Sequence, residues 1–290
     1  MQKTKIEYLT HTWNPIAMCC TPVSEGCTNC WHIRMANRMA SMPWPDTRGL
    51  AYNPGRAPML NEKELSAPQF LKKPARIGVQ FMGDLFHPNI PDNFIVEVFA
   101  VIGQATQHTF MILTKRPARL NSFFVNMLKL QEQASEKNDR WSAASLNYFC
   151  NLKNLWLGVS VEDQKTADER IPLLLQTPAA HRFVSYEPAL GPVDFCSVDG
   201  KIAQSMPEHP LYPAEMIDWI IMGGETGPGA RPMHPDWAMK TRDDCQATGV
   251  PFFFKQWGTY KGSGDYNIPA GCLIDGKEYK EIPINMEAEC

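Results

Sequence analysis

LWLGVSVEDQKTADERIPLLLQTPAAHRFVSYE, residues 155–187, contains one complete structural unit. Its two ends, LWLGVSV and HRFVSY, are short apolar runs that each stop on a glutamate, Glu162 and Glu187. Near-continuous apolar character over so few residues predicts strands covered on both faces, as in a parallel sheet. Between them, QKTADERIPLLLQT (164–177) predicts a helix. Strand, helix, strand in this order is one right-handed βα crossover.

The same rhythm extends outward. IGVQFMGD (77–84), TFMILTKR (109–116), IDWIIMGGE (217–225) and PFFFKQW (251–257) predict further strands, with an early one near HTWNPIAM (11–18). PDNFIVEVFAVIGQAT (91–106) sets Phe94, Ile95, Val98, Phe99 and Ile102 on one helical stripe, and HPDWAMKTRDDCQATG (234–249) predicts a helix ending at a glycine cap. The expectation is an α/β fold, a partial or complete βα barrel of about six to seven parallel strands; an open doubly wound sheet is the alternative. The barrel should span 1–258, interrupted by a proline-rich excursion at 43–76 and a surface loop at 196–214. Residues 259–290 read as an extension in which Asp275-Gly276 closes a type I′ hairpin.

The 290 residues carry a formal charge of −3, which gives no basic footprint for tight, non-specific binding to a nucleic-acid backbone. A nucleotide or flipped base held in a pocket stays within reach. The opening twenty residues lack the apolar centre of a signal peptide, and no run approaches the ~20 apolar residues of a membrane span. The expectation is a cytoplasmic protein, where nine cysteines point to metal or redox chemistry rather than disulfides.

Ligands in parallel βα folds bind at the carboxyl ends of the strands. Those ends carry Asp84 and His87; Thr114, Lys115 and Arg116; Ser160 and Glu162; Ser185 and Glu187; Gly223, Gly224 and Glu225; Lys255 and Gln256. Any one of them can equally cap a helix or pair with a neighbour; six ends behaving alike mark this rim as the active face. MGGETGPGARP (222–232) lets backbone approach a ligand closely, or simply turns the chain.

After the first strand, Cys20, Cys27 and Cys30 give C-x6-C-x2-C, directly before the helical WHIRMANRMA (31–40). Three thiolates on one loop suit three irons of a 4Fe–4S cluster, leaving the fourth iron open. The same cysteines with His32 would make a Cys3His zinc site, and unligated buried thiols are a third reading. Cys19 adjoins Cys20 as a bystander.

Taken together, TWNP with C-x6-C-x2-C, GDLFHPNIPD, ILTKRPARL, the stretch from Trp156 to Val193, GGETGPGARPMHPDW and GVPFFFKQWG resemble the phage and bacterial three-cysteine-motif family of the phage Gp37/Gp68 type, which is similar to radical S-adenosylmethionine (SAM) enzymes. The resemblance runs from Thr12 to about Pro283. It implies a radical SAM barrel with a 4Fe–4S cluster on Cys20, Cys27 and Cys30, SAM as cosubstrate and an electron donor such as flavodoxin or ferredoxin. The spacing departs from the superfamily's usual C-x3-C-x2-C, and MGD (82–84) stands where GGE is usual. Strand-end position assigns SAM contacts to Gly83, Asp84, Ser160, Glu162, Gly223, Gly224 and Glu225.

The resemblance further implies hydrogen-abstraction or isomerase chemistry on a modified nucleobase, nucleotide or DNA, such as rearrangement of an amino-acid-modified thymidine. Lys115, Glu187 and Lys255 are the catalytic candidates. Lys115, Arg116, Arg231, Lys255 and Gln256 are the substrate candidates, with Trp13, Trp31, Phe86 and Trp257 available to stack on a base. A radical SAM enzyme acting on a peptide or small metabolite is one alternative, and a zinc-stabilised non-enzymatic binding protein is another.

Overall fold

The computed structural model describes residues 1–17, 20–43, 58–136, 152–195, 217–261, 269 and 271–286. Cys19, the loop at 196–214 and much of the 43–76 excursion lie outside them. The central sheet is built from β1 (Gln2–Lys3), β2 (His11–Trp13), β5 (Arg76–Val79), β6 (Thr109–Thr114), β7 (Leu155–Val161), β8 (His181–Tyr186), β9 (Trp219–Met222) and β10 (Phe252–Phe254). They lie side by side in that order, and every pairing from β2 to β10 is parallel; only β1 runs antiparallel. A doubly wound sheet reverses its order at a switch point; this sheet keeps chain order throughout. Two short strands, β3 (Ile16–Ala17) and β4 (Met59–Leu60), pair separately.

The helices are α1 (Trp31–Ala40), α2 (Glu62–Leu65), α3 (Asp92–Gln104), α4 (Pro117–Glu136), α5 (Gln164–Leu175) and α6 (Pro235–Thr248). α5 opens with a capping box between Asp163 and Thr166, and α6 ends at Gly249, whose φ of +74° is the left-handed cap expected of a glycine there. α4 was not anticipated as a helix, although Pro117 stands at its first position, where its missing N–H costs nothing. The hairpin at Asp275-Gly276 (β11, Leu273–Ile274; β12, Lys277–Glu278) has φ of +50° and +78°, as a type I′ turn requires.

β5 is shorter than IGVQFMGD suggested. The chain leaves the sheet at Gln80, whose φ is +56°, because its buried amide is hydrogen-bonded to both backbone groups of Ile16 and to Met82 O. This side chain ties the end of β5 to the segment that leads into the cysteine loop.

The two faces of the sheet differ. On one, Ile77, Val79, Ile112, Leu157, Val159, Val184, Ile220 and Phe254 belong to the large core that includes the helices. On the other, Tyr8, Met111, Trp156, Phe183, Trp219 and Phe253 form a second, aromatic core. Gly158 belongs to this second face. A Cβ there would run into the Phe183 ring, so the glycine lets a neighbouring strand's aromatic cross it. Side chains alternate along a strand, and two residues further on the same face turns polar, with Ser160, Ser185 and Lys255 over the aromatic floor.

Candidate functional site

Above that floor lies a cavity of about 500 Å³, within the ordinary range for a small-molecule site. Its wall contains Cys20, Cys27 and Cys30 together with Gly83, Asp84, Lys115, Arg116, Ser160, Glu187, Gly224, Glu225, Lys255 and Gln256. The rim expected at the strand ends and the cysteine loop are therefore one place. Glu162, Gly223 and Arg231 are not part of this wall; they act behind it.

The cysteine loop is fastened at four points. At Thr21, the Arg116 guanidinium donates to the carbonyl (2.9 Å) and the hydroxyl (2.8 Å), and His87 Nε2 lies 3.0 Å from the same hydroxyl. Asn89 N–H donates to His87 Nδ1, which fixes Nε2 as the protonated nitrogen; burial, then Arg116, holds this imidazole below its usual pKa and so neutral. At Ser24 the hydroxyl donates to Glu162 (2.8 Å). At Gly26 the backbone rests on the Lys115–Glu162 ion pair, so closely that a Cβ would lie 2.5 Å from Glu162 and 2.6 Å from the Lys115 ammonium. At Asn29 the amide donates to Glu225 (3.0 Å) and to Gly229 O (2.8 Å), while Arg34 bonds Asn29 and Pro228 O.

These contacts account for most of the charge placed at the rim by sequence. Asp84 is buried and accepts from the Thr114 hydroxyl (2.7 Å), Lys115 N (3.1 Å) and Phe86 N (2.9 Å), so it braces the ends of β5 and β6. Glu162 is held by Lys115, Ser24 and Arg170. Glu225 accepts three hydrogen bonds from Arg231 and one from Asn29. Burial opposes its ionisation, but these bonds outweigh it and hold the carboxyl below its usual pKa. Arg231 also reaches Glu25 O (2.8 Å). Where the sequence offered Glu225 as a SAM contact and Arg231 as a substrate contact, the structure uses both to grip the cysteine loop.

The paired glycines after β9 have a packing reason too. A Cβ on Gly224 would collide with the Trp257 carbonyl, and one on Gly223 would lie 2.6 Å from the Glu187 carboxylate. Glu187 and Lys255 face the cavity as a pair, Nζ lying 2.8 and 3.0 Å from the two oxygens, with the Ser185 hydroxyl 3.3 Å from one of them. Burial opposes charge on Lys255, but Glu187 prevails and raises its pKa. Lys255 also stands over the Tyr8 ring (5.7 Å), and burial pushes that phenol up to about 12. Nothing in the sequence singled out Tyr8, Ser24, Gly26 or Asn29. The fold brings Tyr8 to the cavity; the other three already lie on the cysteine loop, and the fold supplies their partners.

Three of the four aromatics offered for stacking prove to be core residues: Trp13, Phe86 and Trp257 are buried. Trp13 Nε1 donates to Glu64 O and Trp257 Nε1 to Leu273 O, ordinary uses for a buried indole. Trp31 differs, being 49 % exposed on the cavity rim.

Cys27 is buried, Cys20 and Cys30 are half-buried, and none of the three forms a disulfide among the described residues. Burial, then Asp84, pushes the Cys20 thiol up to about 12. Among the described residues no group of three His, Cys, Asp or Glu is arranged to hold a single metal ion. A 4Fe–4S cluster makes a different demand, since each thiolate takes its own iron. Three soft donors on one anchored loop at a cavity wall fit such a group. Among the described residues no helix is long and apolar enough to cross a membrane.

No curated protein and no solved structure matches the chain. A family described as "Protein of unknown function (DUF5131)" matches residues 3–283, nearly the whole length, and the chain belongs to that family.

Proposed function

We propose that the protein is a radical SAM enzyme of the three-cysteine-motif, phage Gp37/Gp68 type, its parallel sheet serving as a radical SAM barrel. The observation that carries the reading is the meeting of three cysteines from one loop with the polar end of a parallel sheet at a single cavity. Cys20, Cys27 and Cys30 would hold a 4Fe–4S cluster. Bound there, the cluster and SAM supply a hydrogen-abstracting radical, powerful enough for an unactivated C–H bond.

The chain's own residues place and shield that chemistry. The Lys115–Glu162 pair under Gly26 and the Glu225–Arg231 grip on Asn29 fix the height and tilt of the loop. Gly83, Asp84, Ser160 and Gly224 are the SAM-contact candidates on the wall that are not tied to the loop. Tyr8, Ile6, Phe81 and Leu113 carry the edge of the aromatic core to the cavity wall and give the chamber an apolar side. Trp31 at the rim supports a nucleobase substrate, since an exposed indole beside a pocket offers a stacking face. An electron donor such as flavodoxin or ferredoxin is required by this reading.

Anaerobic purification, followed by iron, sulfide and zinc analysis and assay with SAM plus reductant, tests it. About four irons per chain are expected, with 5′-deoxyadenosine formed. Cys20→Ala, Cys27→Ala and Cys30→Ala should each abolish both. Stoichiometric zinc without SAM cleavage would overturn the proposal.

A further inference from the structure

We infer that Arg116 sets the reduction potential of the cluster that Cys20, Cys27 and Cys30 would hold, its positive charge favouring the reduced form. This rests on the cluster reading. Arg116 is mostly buried on the cavity wall, and one end of its guanidinium, Nη2, holds the carbonyl and hydroxyl of Thr21, the residue after Cys20. The rest of the group is poorly matched. Nε is buried and has no hydrogen-bond partner among the described residues. It stands 3.8 Å from the Asp84 carboxylate, beyond hydrogen-bonding distance. That carboxylate already accepts from the Thr114 hydroxyl, Lys115 N and Phe86 N. The other cations at the loop differ, because Lys115 is closely paired with Glu162 and Arg231 with Glu225.

A cation taken out of water without a close counter-ion is costly, so the site calls for an anion that the chain does not supply. A 4Fe–4S core on three thiolates answers this call. It carries net negative charge, and one added electron makes it more negative. A guanidinium fixed beside it therefore stabilises the reduced form more than the oxidised one and raises the potential. Asp84 works the other way. The two already act on Cys20 in opposite senses, Asp84 opposing charge on its sulfur and Arg116 favouring it. The bonds to Thr21 keep the guanidinium at this ligand. Arg116 thus reads as a partner of the cluster rather than as a substrate contact.

The test uses the full chain reconstituted anaerobically with iron and sulfide, without SAM or substrate. Redox titration, followed by the electron paramagnetic resonance signal of the reduced cluster, gives the midpoint potential. Arg116→Gln removes the charge and should make the cluster about tenfold harder to reduce, a fall of about 59 mV for one electron. Arg116→Lys should restore most of the difference, and Asp84→Asn should move the midpoint upward. Thr21→Val removes the hydroxyl anchor but not the guanidinium, and should stay near wild type. A role confined to holding the loop predicts another pattern: iron lost from Arg116→Gln and Thr21→Val alike, with the midpoint of the remaining cluster unmoved. That pattern overturns the inference. So does a wild-type midpoint in Arg116→Gln at full iron content, which would assign the guanidinium to an anion of SAM or substrate. Where Arg116→Gln holds no iron, Asp84→Asn decides, and a midpoint there that is unmoved or lowered overturns it. A wild-type chain that takes up no iron fails at the earlier step and sinks the cluster reading together with this inference.

Discussion

The face of the sheet that bears the aromatic core carries two layers built on opposite principles. The lower one, Met111, Trp156, Phe183, Trp219 and Phe253, is buried and apolar, with rings meeting edge to face: Trp219 lies 5.5 Å from Tyr8, 6.0 Å from Phe253 and 6.3 Å from Trp156. The upper one, further along the same strands and past their ends, is charged and hydrogen-bonded. Burial of apolar area stabilises the lower layer directly. In the upper layer burial is a cost, offset only because every carboxylate has cationic or N–H partners. The lower layer therefore holds the strands, and the upper layer uses that rigidity to hold a loop. Substitutions in the two layers should fail in different ways.

The largest expected effect lies below. Trp219→Ala removes the ring at the centre of the aromatic core and its hydrogen bond to Glu281 O, and should cost about 3–5 kcal/mol in urea unfolding. The reactivity of Cys20, Cys27 and Cys30 toward iodoacetamide, read well below the midpoint, should stay near wild type. Loss of stability of less than about 1 kcal/mol would show that this layer is not what holds the sheet.

Gly26→Ala should do the reverse. The new methyl meets Glu162, which Arg170 and Ser24 already lock, so the loop must lift. Such overpacking costs about 1–3 kcal/mol, confined here to the loop. Alkylation of the buried Cys27 should then quicken about tenfold, with the global midpoint little changed. An unchanged alkylation rate would mean that the Lys115–Glu162 pair does not set the loop's height.

The lower layer was far more legible in sequence than the upper. Apolar runs such as LWLGVSV announce strands because burial on two faces leaves few residue choices, and α5 and α6 carry their caps in the chain. The strand ends were found as a rim, but not what each residue does there, because a charged residue beside a cavity and one behind it look alike in sequence. Arg231 and Glu225 are six residues apart and read as a ligand loop, yet beyond each other Glu225 holds Asn29 and Arg231 holds Glu25 O, both about two hundred positions away. Gly26 looked like any loop glycine, and only the placement of Glu162 beneath it gives it a reason. Gln80 misled in the opposite direction, as its fit to an apolar run concealed a left-handed turn out of β5.

The grip on Asn29 gives the smallest effect and the sharpest sign. Glu225 has its pKa held below the ordinary 4.5 by Arg231 and Asn29. A depressed carboxylate contributes stability that is complete above its unfolded pKa and fades as pH falls through the folded one. Glu225→Gln keeps the shape but loses the charge-assisted bonds, and should cost about 1–2 kcal/mol at pH 7. That difference from wild type should hold down to about pH 5 and shrink below 4.5, as the wild-type carboxyl itself becomes protonated. Urea unfolding of both proteins at pH 7, 5 and 3.5 reads it, and subtracting one from the other cancels the other carboxylates, which titrate in both. A difference that grew on acidification would mean that Glu225 is held protonated by its burial, and that Arg231 grips the cysteine loop without it.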